Sequence, residues 1–272
     1  MDEKEIIFLK DRAKAIRKHV LMMTTEAASG HPGGSLSTIE VLTTLYFHKL
    51  RHKPEAPEWE DRDRFVLCKG HAAPALYSVL AEAGYFPTKE LINFRQINSF
   101  LEGHPCRKRV PGVDVSTGSL GQGLSVACGI AAGAKLDKKN FRVYALLGDG
   151  ENQEGQVWEA AMAAAHYKLD NLTAIIDRNG LQIDGLTEKV MALEPLELKW
   201  AAFGWDVMRI NGHDFNEIAS ALDHAEKTKG KPTMIIANTT KGKGVSFMEG
   251  IREFHGKPLT KEQLCEAIKE LT

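Results

Sequence analysis

Little in this sequence is extreme, and what it lacks narrows the reading first. Positive and negative side chains nearly cancel, with 35 Lys and Arg against 36 Asp and Glu and a formal net charge of −1. No overall field of that kind draws a protein to nucleic acid or to an anionic membrane, and neither is expected as a partner. The short basic run Arg107-Lys108-Arg109 reads as a solvated loop, with a local phosphate contact as its other reading. No apolar run approaches bilayer-spanning length. The opening residues, MDEKEIIFLK, are acidic and lack the basic and apolar regions of a signal peptide. Cysteine is scarce, and no two of Cys68, Cys106, Cys128 and Cys265 are spaced as a zinc or redox pair. A soluble cytoplasmic protein with reduced thiols is the expectation. Neither a GxGxxG fingerprint nor a GxxxxGK[ST] loop occurs, which removes the commonest nucleotide-binding routes.

What is there is an alternation of helices and apolar strands. The 272 residues suffice for one large domain, and a single domain over 1–272 is expected. Helical periodicity runs from Ile6 to Ala28 and stops at ASGHPGG, and a second helix is expected from Ser37 to Leu50. RFVLCKG reads as a strand, APALYSVLAEAG as a helix closed by Gly84, and residues 124–136 as a helix rich in small residues. Then FRVYALL, LTAIID, GWDVMRI and TMIIANT follow as strands with helices between them. These strands are apolar on both faces, as in a mostly parallel sheet flanked by helices, so the fold class is α/β. Thr260 with Gln263 signals the cap of a last amphipathic helix.

The strand FRVYALL breaks off into a glycine–acid–glycine corner, Gly148-Asp149-Gly150, followed by Glu151 and Glu154. Acids and glycines at strand tips are turn formers, but they can also be hard oxygen ligands. In an open parallel sheet, ligands gather beyond the carboxyl ends of the strands, where Asp149 sits, and Asn179 ends the next strand near the same edge. A carboxylate, an amide oxygen and a backbone carbonyl suit magnesium, which keeps water and commonly shares phosphate oxygens; clustered Cys and His for zinc are missing. Glycine-rich stretches before two helices, GDGENQEG and TGSLGQG, offer close approach to a diphosphate.

Gly148-Asp149-Gly150 with Asn179 resembles the thiamine diphosphate motif, and the chain resembles the N-terminal, diphosphate-binding part of transketolase. SGHPGGSLS, KGHAAPALY, EGHP, STGSLGQGLS, GDGENQEGQVWEA, DRNGLQIDG and TTKGKGV…FHG stand in the family's order, from about residue 10 to about residue 260. The resemblance implies a thiamine diphosphate-binding fold and a metal (Mg2+, or Ca2+ or Mn2+) held by Asp149, the Asn179 side chain and the Leu181 carbonyl. It implies cofactor contacts at His71, Gly118, Ser119, Leu120, Gly150, Asn179 and His255. Ser119 departs from the proline common in the family's TGPLGQG, which leaves that loop less rigid. Full transketolases are more than twice as long, adding a pyrimidine-binding and a C-terminal domain. The chain is therefore expected to be half of a split transketolase. In an α2β2 assembly it would pair with a C-terminal subunit, without which it would be inactive.

Of the ten histidines, His19, His48, His52, His166 and His224 fall in helical or linker contexts, and His213 in a strand-end turn. His31, His71, His104 and His255 each stand beside glycine in a loop. One such histidine satisfies backbone groups; four converging on a pocket are donors and proton carriers, since imidazole titrates near neutrality. By the resemblance, His31, His104 and His255 face the sugar as catalytic residues. Transfer of a two-carbon ketol unit from a ketose phosphate to an aldose acceptor, as in the pentose phosphate pathway, is the implied activity. For Glu154 it offers a place in an acidic link between paired sites, beside the plain reading of a first-turn helix acid. Other readings are a subunit of an oxoacid dehydrogenase or deoxyxylulose-phosphate-type synthase, or a non-catalytic regulatory module.

Overall fold

The computed structural model describes residues 1–272. Five strands form one sheet in the order β1 (Arg64–Leu67), β2 (Val143–Gly148), β3 (Leu172–Arg178), β7 (Thr233–Asn238) and β6 (Asp206–Asn211). All four pairings are parallel. A two-residue antiparallel hairpin, β4 (Leu181–Gln182) with β5 (Gly185–Leu186), stands apart just after β3.

β1, β2, β3 and β7 are apolar on both faces because both faces are covered, whereas the edge strand β6 is partly exposed and carries Asp206, Arg209 and Asn211. Tyr144, Leu146, Ile175 and Ile235 point into one core with α1 (Glu3–Glu26), α3 (Ile39–Thr44), α4 (Ala73–Glu82), α9 (Phe215–Lys227) and α10 (Lys261–Glu270). The alternate residues Val143, Ala145, Leu147, Ile176 and Ile236 point into a second core with α5 (Gln122–Leu136), α6 (Gly155–His166) and α8 (Leu196–Ala202). Each fully buried branched side chain contributes roughly 1.5–3 kcal/mol, and the period-two alternation fixes the register, since a one-residue slip would exchange the two cores. The last helix carries the expected capping box, Thr260 with Gln263. No helix is long and apolar enough to cross a membrane.

The helix expected from Ser37 to Leu50 begins two residues later and is preceded by a short helix that was not expected. The HPGG segment does not merely end α1; it starts a five-residue helix, α2 (Pro32–Leu36), with proline in its first turn, where its missing N–H costs nothing. The chain breaks at Ser37–Thr38 before α3, which passes into a wider π-type turn over Leu45–Lys49. Hydroxyls cause the break: Ser35 donates to the His31 carbonyl, Ser37 to Gly34 and Thr38 to Ser35, local bonds that compete with a continuous helix. The remaining short helix, α7 (Thr187–Val190), follows the hairpin.

Four neighbouring strands, β1, β2, β3 and β7, end side by side and open into the loops that form the site. Two of these loops are in close contact. A Cβ on Gly70, just after β1, would stand 2.7 Å from Thr117 Oγ1 and 2.8 Å from the Gly118 nitrogen. Gly70→Ala is expected to destabilise the fold by about 1–3 kcal/mol through overpacking, seen as a lower urea midpoint. A midpoint equal to that of the unaltered chain would mean the two loops separate freely.

Candidate active site

The ends of four parallel strands each contribute a charged or polar group to one cavity. Lys69 and His71 follow β1, Asp149 follows β2, Asp177 and Asn179 lie at the end of β3, and Lys241 follows β7. The cavity has a volume of about 370 Å³, within the range of small-molecule sites. Of the residues expected from sequence, His31, His71, Gly118, Leu120, Asp149, Gly150, Asn179, Leu181 and His255 line it together. Ser119 is exposed and does not line it. His104 borders a neighbouring depression with Arg95, its ring 6.4 Å from that of His31.

At its floor is a carboxylate that sequence reasoning did not single out. Asp177 is buried and accepts from Lys69 Nζ at 2.5 Å, Ser37 Oγ at 2.7 Å, Asn179 Nδ2 at 2.9 Å and the Thr239 hydroxyl. Burial pushes its pKa up, but Lys69 and the hydrogen bonds outweigh that and hold it below the ordinary carboxylate range. The bond from Asn179 fixes the amide: its nitrogen is turned to Asp177, leaving Oδ1 to accept from the Leu181 N–H at 3.1 Å.

Asp149 is nearly sealed from solvent. It accepts from the Gly150 N–H at 2.8 Å, the Gly180 N–H at 2.6 Å and Arg178 Nη1 at 3.1 Å. Burial and the neighbouring Asp177 raise its pKa against those bonds, so this carboxylate is short of positive charge. Arg178 also binds Thr187, Glu188 and Glu194, so its charge is shared. The other strand-tip acids differ. Glu151 is buried and accepts from the N–H groups of Gly121 and Gly148, each at 3.0 Å, clasping the start of α5 to the end of β2. Burial raises its pKa to about 7. Glu154 is exposed at the head of α6.

Three imidazoles meet above these carboxylates. The ring of His31 lies 5.3 Å from that of His71 and 5.5 Å from that of His255, and His71 and His255 are 5.2 Å apart. Burial, then nearby cations, lowers His31 to about 4 and His255 to about 3, and moves His71 well down. At neutral pH the cluster is uncharged, able both to donate and to accept. Lys241, also buried and unforeseen, lies 2.9 Å from His255 Nδ1; burial and the charge of Lys69 lower it to about 8. KGH and TTKGKG were visible as motifs, but a lysine in a motif carries no sign of being buried. No three His, Cys, Asp or Glu side chains gather as a metal-binding group.

A cavity at the carboxyl edge of a parallel sheet, with buried ammonium groups and glycines on its wall, defines a small-molecule site suited to an anionic ligand. Residues 9–271 match the transketolase thiamine diphosphate binding domain. The chain belongs to that family. It is 47% identical over 271 residues to the 6-deoxy-6-sulfo-D-fructose transketolase subunit of Clostridium sp. (strain MSTE9), covering 100% of this chain and 98% of that one. It is 48% identical to one of the subunits of the apulose-4-phosphate transketolase of Phocaeicola vulgatus, covering 94% of this chain and 91% of that one. The transketolase of Campylobacter jejuni superposes with a TM-score of 0.93 at 38% identity, covering 100% of this chain and 43% of that one. The chain thus spans less than half the length of such transketolases.

The depressed histidines have a consequence for stability. A base whose pKa is lower folded than unfolded contributes stability above its unfolded pKa, near 6.5, that is lost as pH falls through the folded value. The urea midpoint is expected to drop between about pH 6.5 and the folded values of about 4 for His31 and about 3 for His255. His31→Gln and His255→Gln should each make that drop shallower; an unchanged slope in both would show that these rings titrate in the fold as they do in the unfolded chain.

Proposed function

We propose that this chain is the thiamine diphosphate-binding subunit of a two-chain transketolase that moves a two-carbon ketol unit from a ketose phosphate to an aldose acceptor. The observation that carries the reading is the meeting of Asp149, Asn179, two buried lysines and three neutral histidines in one cavity within this family's domain.

The residues fit such a cofactor. Gly34 and Gly118 keep the wall low, since a Cβ at Gly34 would stand 3.5 Å from His71 Nε2 and one at Gly118 3.2 Å from His104. His31 Nδ1 is buried without a hydrogen-bond partner, as a group awaiting a ligand would be. Asp149 is short of positive charge, and Asn179 has its amide oriented by Asp177. We assign Asp149, Asn179 Oδ1 and the Leu181 carbonyl as ligands of a divalent metal, magnesium or alternatively calcium or manganese, whose preference is for such oxygens. His71, Gly118, Leu120, Gly150 and His255 are assigned to the cofactor. Ser119 retains at most a backbone role.

Thiamine diphosphate, when bound, supplies the electron sink for carbon–carbon cleavage, which no side chain here provides. The chain's own residues do the rest. Lys69 and Lys241 set positive charge along the cavity. His31, His104 and His255 orient sugar hydroxyls and carry protons, and their low pKa values keep them uncharged at neutrality. A general acid or base of this kind typically contributes roughly 10²–10⁴-fold.

A partner chain with the pyrimidine-binding and C-terminal domains completes the enzyme, as α2β2 in the cytoplasm. The relatives matched over nearly their whole length are themselves named subunits, which supports the need for a partner chain. Their names specify a sulfofructose and apulose 4-phosphate, and so lend no support to a place in the pentose phosphate pathway.

Asp149→Ala and Asn179→Ala are expected to weaken thiamine diphosphate binding at least about tenfold, the loss of one charge-assisted contact, while the fold survives. Calorimetric titration of the reconstituted complex with cofactor and magnesium measures this; near-normal affinity in both variants would refute the ligand assignment. Ketol transfer should be absent from the purified chain and from the partner alone, and present when they are mixed. Full activity of this chain alone would overturn the two-chain reading.

A further inference from the structure

We infer that Lys241 is a positioning residue that fixes the tautomer of His255, so that this neutral imidazole turns an Nε2–H donor toward the cavity. The inference rests on the reading of the cavity given above and specifies what one of its groups presents to a ligand.

The backbone around Lys241 leaves its side chain little choice. The Thr240 N–H donates to His213 Nε2 at 2.8 Å, the Gly242 N–H donates to the Gly33 carbonyl at 3.0 Å, and the Lys241 carbonyl accepts from the Gly250 N–H at 2.9 Å. His213 is itself held by Glu40, whose other oxygen binds Arg17. From the opposite side Gly33 admits both partners of the pair. A Cβ there would stand 2.7 Å from the Phe254 carbonyl and 3.1 Å from Lys241 Cγ. The side chain, 2% exposed, therefore reaches one ring nitrogen, Nδ1 of His255, at 2.9 Å.

An ammonium has three donors and no acceptor. Facing Lys241, His255 Nδ1 must accept, and in a neutral imidazole the proton then sits on Nε2. The other charged or titratable groups around the pair are Lys69, Asp177, Asp149, His31 and His71, with Arg252, Glu253 and Lys257 on the outer side of His255. Lys241 lies near 8 and His255 near 3, so the combination of cationic lysine and neutral histidine holds at neutral pH. A ring fixed this way offers a hydrogen bond to a phosphate or sugar oxygen without adding a further positive charge beside Lys241 and Lys69.

The test is the ring-nitrogen spectrum of the full chain labelled with 15N-histidine, with His255 assigned by its absence in His255→Gln. At pH 7 the long-range proton–nitrogen correlations should show Nδ1 as the bare nitrogen and Nε2 as the protonated one. The ratio should exceed about tenfold, as a hydrogen bond to a charged donor gives. Lys241→Met, of similar length and without donors, should bring the two tautomers to within about threefold. The unaltered chain alone can refute the inference, by showing the Nδ1–H form; so would an unchanged ratio in a folded Lys241→Met. With partner and cofactor added, a changed tautomer and unchanged turnover would uphold the inference and instead refute the placing of His255 against the sugar.

Discussion

The buried pair of Lys69 and Asp177 is the constraint on which the site depends. It joins the loop after β1 to the end of β3, and the same carboxylate takes bonds from Ser37 at the break before α3 and from Thr239 after β7. Removing one member of a buried ion pair leaves the other uncompensated, at a typical cost of about 3–5 kcal/mol. That cost would fall on the cavity, because the segments tied to Asp177 are those that bear His31, His71, Asn179 and Lys241. Asp177 does for the site what a cross-link does for a loop. It sets distances between residues far apart in the chain.

Charge in the cavity is arranged so that its groups hold different protonation states at one pH. Asp177 stays ionised because Lys69 touches it, whereas Asp149 is pushed toward protonation by burial and by Asp177 itself. Lys69 lowers the tolerance of Lys241 for charge, and the two lysines, with burial, keep the histidines neutral. A pocket with two acids, two ammonium groups and three uncharged imidazoles has a field that is fixed in sign at each point, the condition under which polar groups act without first reorganising.

Much of this was legible beforehand. Strands that are apolar on both faces predict a covered parallel sheet, and the topology bears that out. Asp149 and Asn179 could be placed at neighbouring strand ends because strand boundaries follow from composition, and glycines mark the turns between. The break at Ser37–Thr38 was not legible, because it depends on hydroxyls choosing local carbonyls over the helix. Lys69, Asp177 and Lys241 escaped for a related reason. Sequence shows a lysine's charge, but burial and pairing are tertiary facts, and a lysine in a loop is ordinarily solvated. The hold of Arg178 on Asp149 was likewise invisible, since nothing in DRNG tells which way the arginine turns.

The hairpin β4–β5 differs in kind from the rest of the cavity wall. Its strands are two residues long, with Ile183 68% exposed and Leu186 55% exposed, and its ties to the body run through Asn179, Arg252 and Gln153. Segments with so little buried apolar surface open locally at a small fraction of the global unfolding free energy. The cavity therefore has a stiff half, carried by strand ends, and a soft half, carried by this hairpin. Local opening is therefore concentrated in the soft half, residues 181–186, and the Leu181 carbonyl stands on a less rigid support than Asp149 does.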